Sequence, residues 1–171
     1  METEMVARDV IREVIDSVPH GLFLMTAEHD DTRTGVLSTR VQVCSVDPCL
    51  VVISIPRGTP IEPLLRDSRS FALCRINDGD RLVQRRFDPH PRRGEDPFVG
   101  IPTSIAVTGA PIVHRAQYYF DCSIVGHLAP EADCRLYLGE VQAIGVLLDE
   151  PEVLPIHLIE STPCGSTPVV S

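Results

Sequence analysis

Apolar residues fall in short bursts along this chain, separated by turn formers, and only a few stretches repeat with helical spacing. The opening TEMVARDVIREVIDSV is the clearest of those. Met5, Val6, Val10, Val14 and Ile15 recur near one face with charges between them, which predicts a short amphipathic helix stopped at Pro19. HGLFLMTAEH then reads as a strand, HDDTRTG as a polar turn ending in a glycine, and Val36 to Ser45 as the hairpin partner. After a corner at Asp47-Pro48, the run Leu50 to Ile55 is apolar without alternation and breaks at PRGTP, as a strand buried on both faces would.

TPIEPLLRDSRS predicts a short helix with Thr59 as its N-cap and Ile61, Leu64 and Leu65 on its apolar face, delivering the chain to a strand FALCRI. A second short helix, GDRLVQRRFD, leads into the Pro- and Arg-rich loop PHPRRGEDP. Three further strands are expected in SIAVTGAPIVH, YYFDCSIVGHLA and RLYLGEVQAIGVLL. Short strands with helices confined to a few connections predict an antiparallel barrel with small helical inserts over residues 1–150. The remainder, 151–171, carries four prolines; PIHLI is expected to pack as a short extended segment and the residues after it to be flexible.

Composition narrows the function. A chain of 171 residues with 43% apolar and 23% charged residues is a folded domain rather than a disordered segment. A formal charge of −9 argues against a nucleic-acid surface, although every basic residue is Arg. None of the six cysteines (44, 49, 74, 122, 134 and 164) forms a Cys-x-x-Cys pair, and most sit in apolar runs as small hydrophobes. The acidic opening lacks the apolar centre of a signal peptide, and no apolar run reaches bilayer length, so a cytoplasmic protein with reduced thiols and no membrane contact is expected. Scattered histidines predict no metal site, and neither a Ser-His-Asp arrangement, a Gly-x-Ser-x-Gly word nor a GxGxxG fingerprint occurs.

Two stretches carry candidate chemistry. Ser38, Thr39 and Ser45 stand where a plain core strand would be more apolar; they suit an oxygen-rich ligand, or a strand with one face in water. Arg57, Gly58 and Thr59 offer a cationic fork, a flexible backbone and a hydroxyl ahead of an expected helix. That set suits a phosphate, and Thr59 equally suits a cap, because both use the same helix end.

Six words in order (VPHGLFLMTA, GVLSTRVQVCSVDPCLVVISIPRGT, LLRDSRSFAL, RRF, TGAPIVHRAQYYFDCSIV and LYLGEVQAIGV) resemble the flavin reductase-like family, split-barrel proteins that bind FMN or FAD. The likeness runs from about Pro19 to Leu148. It implies a mainly β fold, an antiparallel split β-barrel with short helical insertions. It also implies a flavin lying along Leu37, Ser38 and Thr39, with Val43 and Ser45 further on, where small side chains let the main chain approach the ring. By the same resemblance the flavin phosphate falls at Arg57, Gly58 and Thr59, with Pro56 replacing a common Asn. Phe98 would cover the flavin, and Arg40 and Arg86 are candidates for phosphate charge or for the surface. Tyr118, Tyr119 and Phe120 are expected in the core and at a dimer surface.

The chain departs from the resemblance at one word. Many members that use NAD(P)H carry Gly-Asp-His before the strand matching LYLGEV, and this chain has Ala132, Asp133 and Cys134. Cys134 is then either a thiol near the flavin or a buried neutral one, and His127 is a candidate replacement imidazole. The resemblance implies a homodimeric NAD(P)H:flavin oxidoreductase using FMN, with FAD as the other choice, and passing electrons to an acceptor or a partner monooxygenase. The alternative is a flavin-binding electron carrier or redox sensor without NAD(P)H turnover. A tetrapyrrole-binding relative is disfavoured because no His or Cys stands out as an axial ligand.

Overall fold

The computed structural model describes residues 14–147 and 151–155. Of the expected N-terminal helix residues 14–18 are described, helical over 14–16 and turning at 17–18; Met5, Val6 and Val10 lie outside the described residues. The first strand, β1 (Phe23–His29), turns through Asp30 and Asp31 into β2 (Thr32–Ser38). Both aspartates have positive φ, 47° and 59°, the conformation a two-residue hairpin turn demands. Gly35 is therefore not the end of the turn but a position inside β2, opposite Thr26. A Cβ there would come within 3.0 Å of Leu24 Cδ1, the Met25 carbonyl and a Phe87 ring carbon, so the missing side chain is what lets Phe87 press against the hairpin.

The single strand expected from Val36 to Ser45 is two strands. β2 ends at Ser38, and β3 (Val41–Val46) pairs instead with β4 (Cys49–Pro56). The break falls at Thr39-Arg40, two exposed polar residues that leave β1 and open a corner toward β4. α1 (Ile61–Ser68) buries Ile61, Leu64 and Leu65 as expected. Its cap position is Pro60 with no side-chain cap bond, so Thr59 does not cap it. β5 (Ser70–Ile76) follows, then α2 (Arg81–Phe87), whose Asp80 side chain accepts the Leu82 and Val83 N–H groups. SIAVTGAPIVH yields only the short pair β6 (Thr103–Ser104) and β7 (Ile112–Val113). Between them the chain is held by buried Asp121, which accepts from Val107 N at 2.7 Å and Thr108 N at 2.8 Å.

Every pairing is antiparallel, in the order β2-β1-β5-β8-β9-β4-β3, where β8 is Ala116–Leu128 and β9 is Cys134–Leu147. β9 divides the wall. One edge runs along β8; on the other, β4 pairs with Cys134–Glu140 and β10 (Pro151–Pro155) pairs with residues 143–147. The expected mainly β, antiparallel barrel with short helices is what forms. β1 and β5 are buried on both faces. Met25, Val51, Ile53, Phe71 and Leu73 meet the apolar face of α1 in one core, while Leu24, Cys74, Val83, Phe87, Phe98 and Tyr119 form a second. Those two layers explain the unbroken apolar runs in the sequence.

Candidate functional site

The corner where β2 leaves the sheet opens a cleft of about 490 Å3. That size is within the ordinary range for a small-molecule or cofactor pocket. Leu22, Leu37 and Phe87 make an apolar wall; Ser38, Thr39, Arg40, Ser54 and Pro56 make the floor; Gln84, Asp88, His90 and Asp133 stand around it. Ser38 is 9% exposed, and its hydroxyl donates to the Ser54 carbonyl at 2.7 Å while accepting the Arg40 N–H at 3.0 Å. Thr39 and Arg40 face solvent. A neighbouring hollow of about 450 Å3, lined by Val18, His20 and Gln42, shares Thr39 and Arg40 with the first.

Of the residues expected at a flavin, the structure brings Leu37, Ser38, Thr39 and Arg40 together in this cleft. Val43 and Ser45 lie further along β3, with Val43 exposed, and do not line it. Arg57, Gly58 and Thr59 follow directly on Pro56, just past the cleft's end. Arg57 N donates to the Asp133 carbonyl at 2.9 Å and its guanidinium to the Ala132 carbonyl at 3.2 Å, which fixes the 132–133 turn beside the cleft. The Gly58 and Thr59 amides are directed to the Glu62 carboxylate. Arg86 points elsewhere, donating to the Pro97 and Val99 carbonyls at 3.4 and 3.0 Å. Phe98 is 1% exposed, its ring tilted against that of Phe87 with centroids 5.2 Å apart, so it backs the cleft wall rather than lining the cleft.

Cys134, the candidate thiol, and His127, the candidate replacement imidazole, do not line the cleft. Cys134 begins β9 half-buried opposite Pro56. His127 is exposed at the end of β8, its ring stacked on Tyr137, and borders a separate cleft of about 350 Å3 with Arg66, Arg69 and Arg135. Sequence reasoning missed His90 and Asp133, which do line the main cleft. Asp133 was legible as part of the altered Gly-Asp-His word. His90, in the loop PHPRRGEDP, had no spacing signal.

Local electrostatics hold the rear of the site. Arg33 binds both carboxylate oxygens of Asp96, at 3.0 and 2.8 Å, and lies 5.2 Å over the Phe98 ring. The Arg33 hydrogen bonds hold the Asp96 carboxyl below its usual range. Burial pushes the Cys74 thiol up to about 12, and it also raises Cys122, so both are neutral core groups. Among the described residues no His/Cys/Asp/Glu group fits a metal ion, and no helix is long and apolar enough to cross a membrane.

A flavin reductase like domain model matches residues 15–158, a span that takes in every described strand and the whole cleft. The chain belongs to the flavin reductase-like domain family. Sequence relatives include diflavin flavoprotein A 1 of Synechocystis, 24% identical over 119 residues that make up 69% of this chain and 21% of that protein. The chain thus spans about a fifth of the length of the curated relatives it matches. Among solved structures, component B of a nitrilotriacetate monooxygenase from Mycobacterium thermoresistibile matches with a TM-score of 0.74 at 20% identity, covering 96% of this chain and 95% of that one. An NADH:FAD oxidoreductase of Streptomyces globisporus C-1027 also gives 0.74, at 23% identity over 85% and 86% of the two chains. At those identities the likeness is one of fold, and it is the split barrel of flavin reductases that these strands build.

Proposed function

We propose that this flavin reductase-like domain binds FMN with its ring in the cleft at the β2–β3 corner and works as an NAD(P)H:flavin oxidoreductase. The carrying observation is that the cleft opens at Leu37, Ser38 and Thr39, where the small Ser38 and Thr39 side chains suit close approach of a flat ring and Leu37 offers it an apolar surface. The residues fit such a ligand. Leu22, Leu37 and Phe87 give an apolar surface, and the corner supplies polar groups and a cation beside it. Bound flavin would supply a two-electron acceptor for hydride from NAD(P)H. Ser38 keeps the floor rigid, Phe98 behind Phe87 keeps the wall dry, and Arg40 and His90 provide positive or hydrogen-bonding groups for the ligand's polar side. Gly58 and Thr59, immediately beyond Pro56, lie where the flavin's phosphate would reach. FAD is the other flavin choice, and a partner monooxygenase is one outlet for the electrons.

A homodimer completes this reading. Val43 and Val46 on β3 and Val125 and Leu128 on β8 are exposed apolar side chains with nothing over them among the described residues. Sedimentation should give twice the chain mass.

The second reading, a flavin carrier or redox sensor, is favoured by Ala132-Asp133-Cys134, in which the Asp of the Gly-Asp-His word implied by the resemblance is kept and Cys134 stands in place of its imidazole. The test is direct. The purified protein is loaded with FMN and mixed anaerobically with NADH or NADPH while the flavin band is followed. Bleaching by either nucleotide supports the reductase. Bleaching by dithionite alone supports the carrier, and no flavin uptake removes both.

A further inference from the structure

The carboxylate of Glu62 occupies an anion's position. Gly58 N donates to its Oε1 at 2.6 Å and Thr59 N to the same oxygen at 3.3 Å. Its Oε2 lies 2.7 Å from Arg135 Nε. Two main-chain donors ahead of a helix, closed by a guanidinium, are the groups a phosphate takes. Glu62 does not satisfy them all. Thr59 is 3% exposed and its hydroxyl has no hydrogen-bond partner; Arg135 Nε is also buried without one, its contact to Glu62 being close in charge but poorly aligned. A buried donor left unmet is a standing cost, and the Thr59 hydroxyl is one beside this carboxylate, while Arg135 is held by charge rather than by an aligned hydrogen bond.

We propose that Glu62 is an internal placeholder which the phosphate of a flavin nucleotide must displace. The inference rests on the reading above that the flavin ring lies in the cleft ending at Pro56. A phosphate monoester carries three non-bridging oxygens against the carboxylate's two. It would take over the Gly58 and Thr59 amides and add the unmet Thr59 hydroxyl, with Arg57 and Arg135 balancing its charge. The approach is open: Gly58 has φ of 77° and a Cβ built on it meets nothing within 4 Å. The displaced carboxylate also has somewhere to go, because Glu62 borders the cleft of about 350 Å3 that holds Arg66 and Arg69. The consequence is a weak preference for phosphorylated flavin. Each FMN that binds gives up part of its phosphate contact energy to move Glu62, so flavin exchanges readily.

The experiment titrates the full chain with FMN, with riboflavin and with inorganic phosphate alone. Glu62→Ala should raise the FMN-over-riboflavin affinity ratio by about tenfold, because a charge-assisted competitor is gone. Inorganic phosphate should bind Glu62→Ala more tightly than the native chain, and adding Thr59→Val should reverse much of that gain. An unchanged ratio together with unchanged phosphate affinity overturns the proposal. If Glu62→Ala does not fold, Thr59→Val in the native background decides: FMN affinity should fall while riboflavin affinity holds, and equal effects on both overturn it. If no variant binds either flavin yet phosphate affinity rises in Glu62→Ala, the flavin reading fails and the placeholder stands.

Discussion

Ser38 fastens the cleft floor from two sides: its hydroxyl donates to the Ser54 carbonyl at 2.7 Å and accepts the Arg40 N–H at 3.0 Å. One buried side chain thus joins the end of β2, the start of the corner and β4. Ser38→Ala leaves a part-buried N–H and a part-buried carbonyl short of a partner, which costs about 1 kcal/mol. Urea unfolding should show that loss, and flavin fluorescence quenching should show weaker binding, because the corner that carries Thr39 and Arg40 is freed.

Tyr119 packs directly over Gly145, its antiparallel partner in β9. A Cβ at position 145 would overlap the Tyr119 ring, and that ring is 2% exposed with no open space to enter. Gly145→Ala should therefore destabilise by about 1–3 kcal/mol through overpacking. Adding Tyr119→Leu should make the pair non-additive, with the second change costing less on top of Gly145→Ala than it does alone. Thermal melts of the native chain, the two single variants and the double variant check this.

Asp96 makes acid a lever on the loop behind the cleft. Arg33 holds its folded-state carboxyl below the ordinary value, so the pair's stabilisation is complete above the usual carboxylate range and is lost as pH falls through the lowered value. The ion pair is partly exposed, with side chains 31% and 38% accessible, so screening keeps the effect below about 1 kcal/mol. Melting temperature followed from about pH 6 to about pH 3 should fall less steeply in Asp96→Asn than in the native chain.

Thiol reactivity should divide by burial. Cys44 is exposed, whereas Cys74 and Cys122 are fully buried with raised thiol ionisation. Iodoacetamide should label Cys44 in the native protein and reach Cys74 and Cys122 only on unfolding, as peptide mass spectrometry would record.

What could be read in the sequence depended on how local its cause was. β1 and β4 are largely apolar runs, β8 and β9 mix apolar with polar residues as half-buried strands do, and all four are bounded by turn residues; both helices announce themselves by their apolar positions, and all of these elements form. The β2–β3 break did not show, because Thr39-Arg40 carries no Gly or Pro and only the competing partners β1 and β4 make the chain divide there. Gly35 read as a turn for the opposite reason: its role is to admit Phe87, a contact fixed by α2. The cleft residues Leu37, Ser38 and Thr39 came from the family words. His90 comes from a distant loop that no spacing ties to the corner. Phe98 and Arg86 were expected at the flavin, and tertiary packing turned them toward Phe87 and the 97–99 backbone.

The cleft's boundary residues run from Leu22 to Asp133, with contributions at 37–40, 54–56 and 84–90 between them. No early stretch of the polypeptide can hold a ligand by itself. A nascent chain leaving the ribosome would offer no such cleft until the turn before the longest strand had docked, so capture of any ligand there is a late event that reports a finished molecule. By mass action, the same ligand then stabilises every element that supplied a wall, including those far from it in synthesis order.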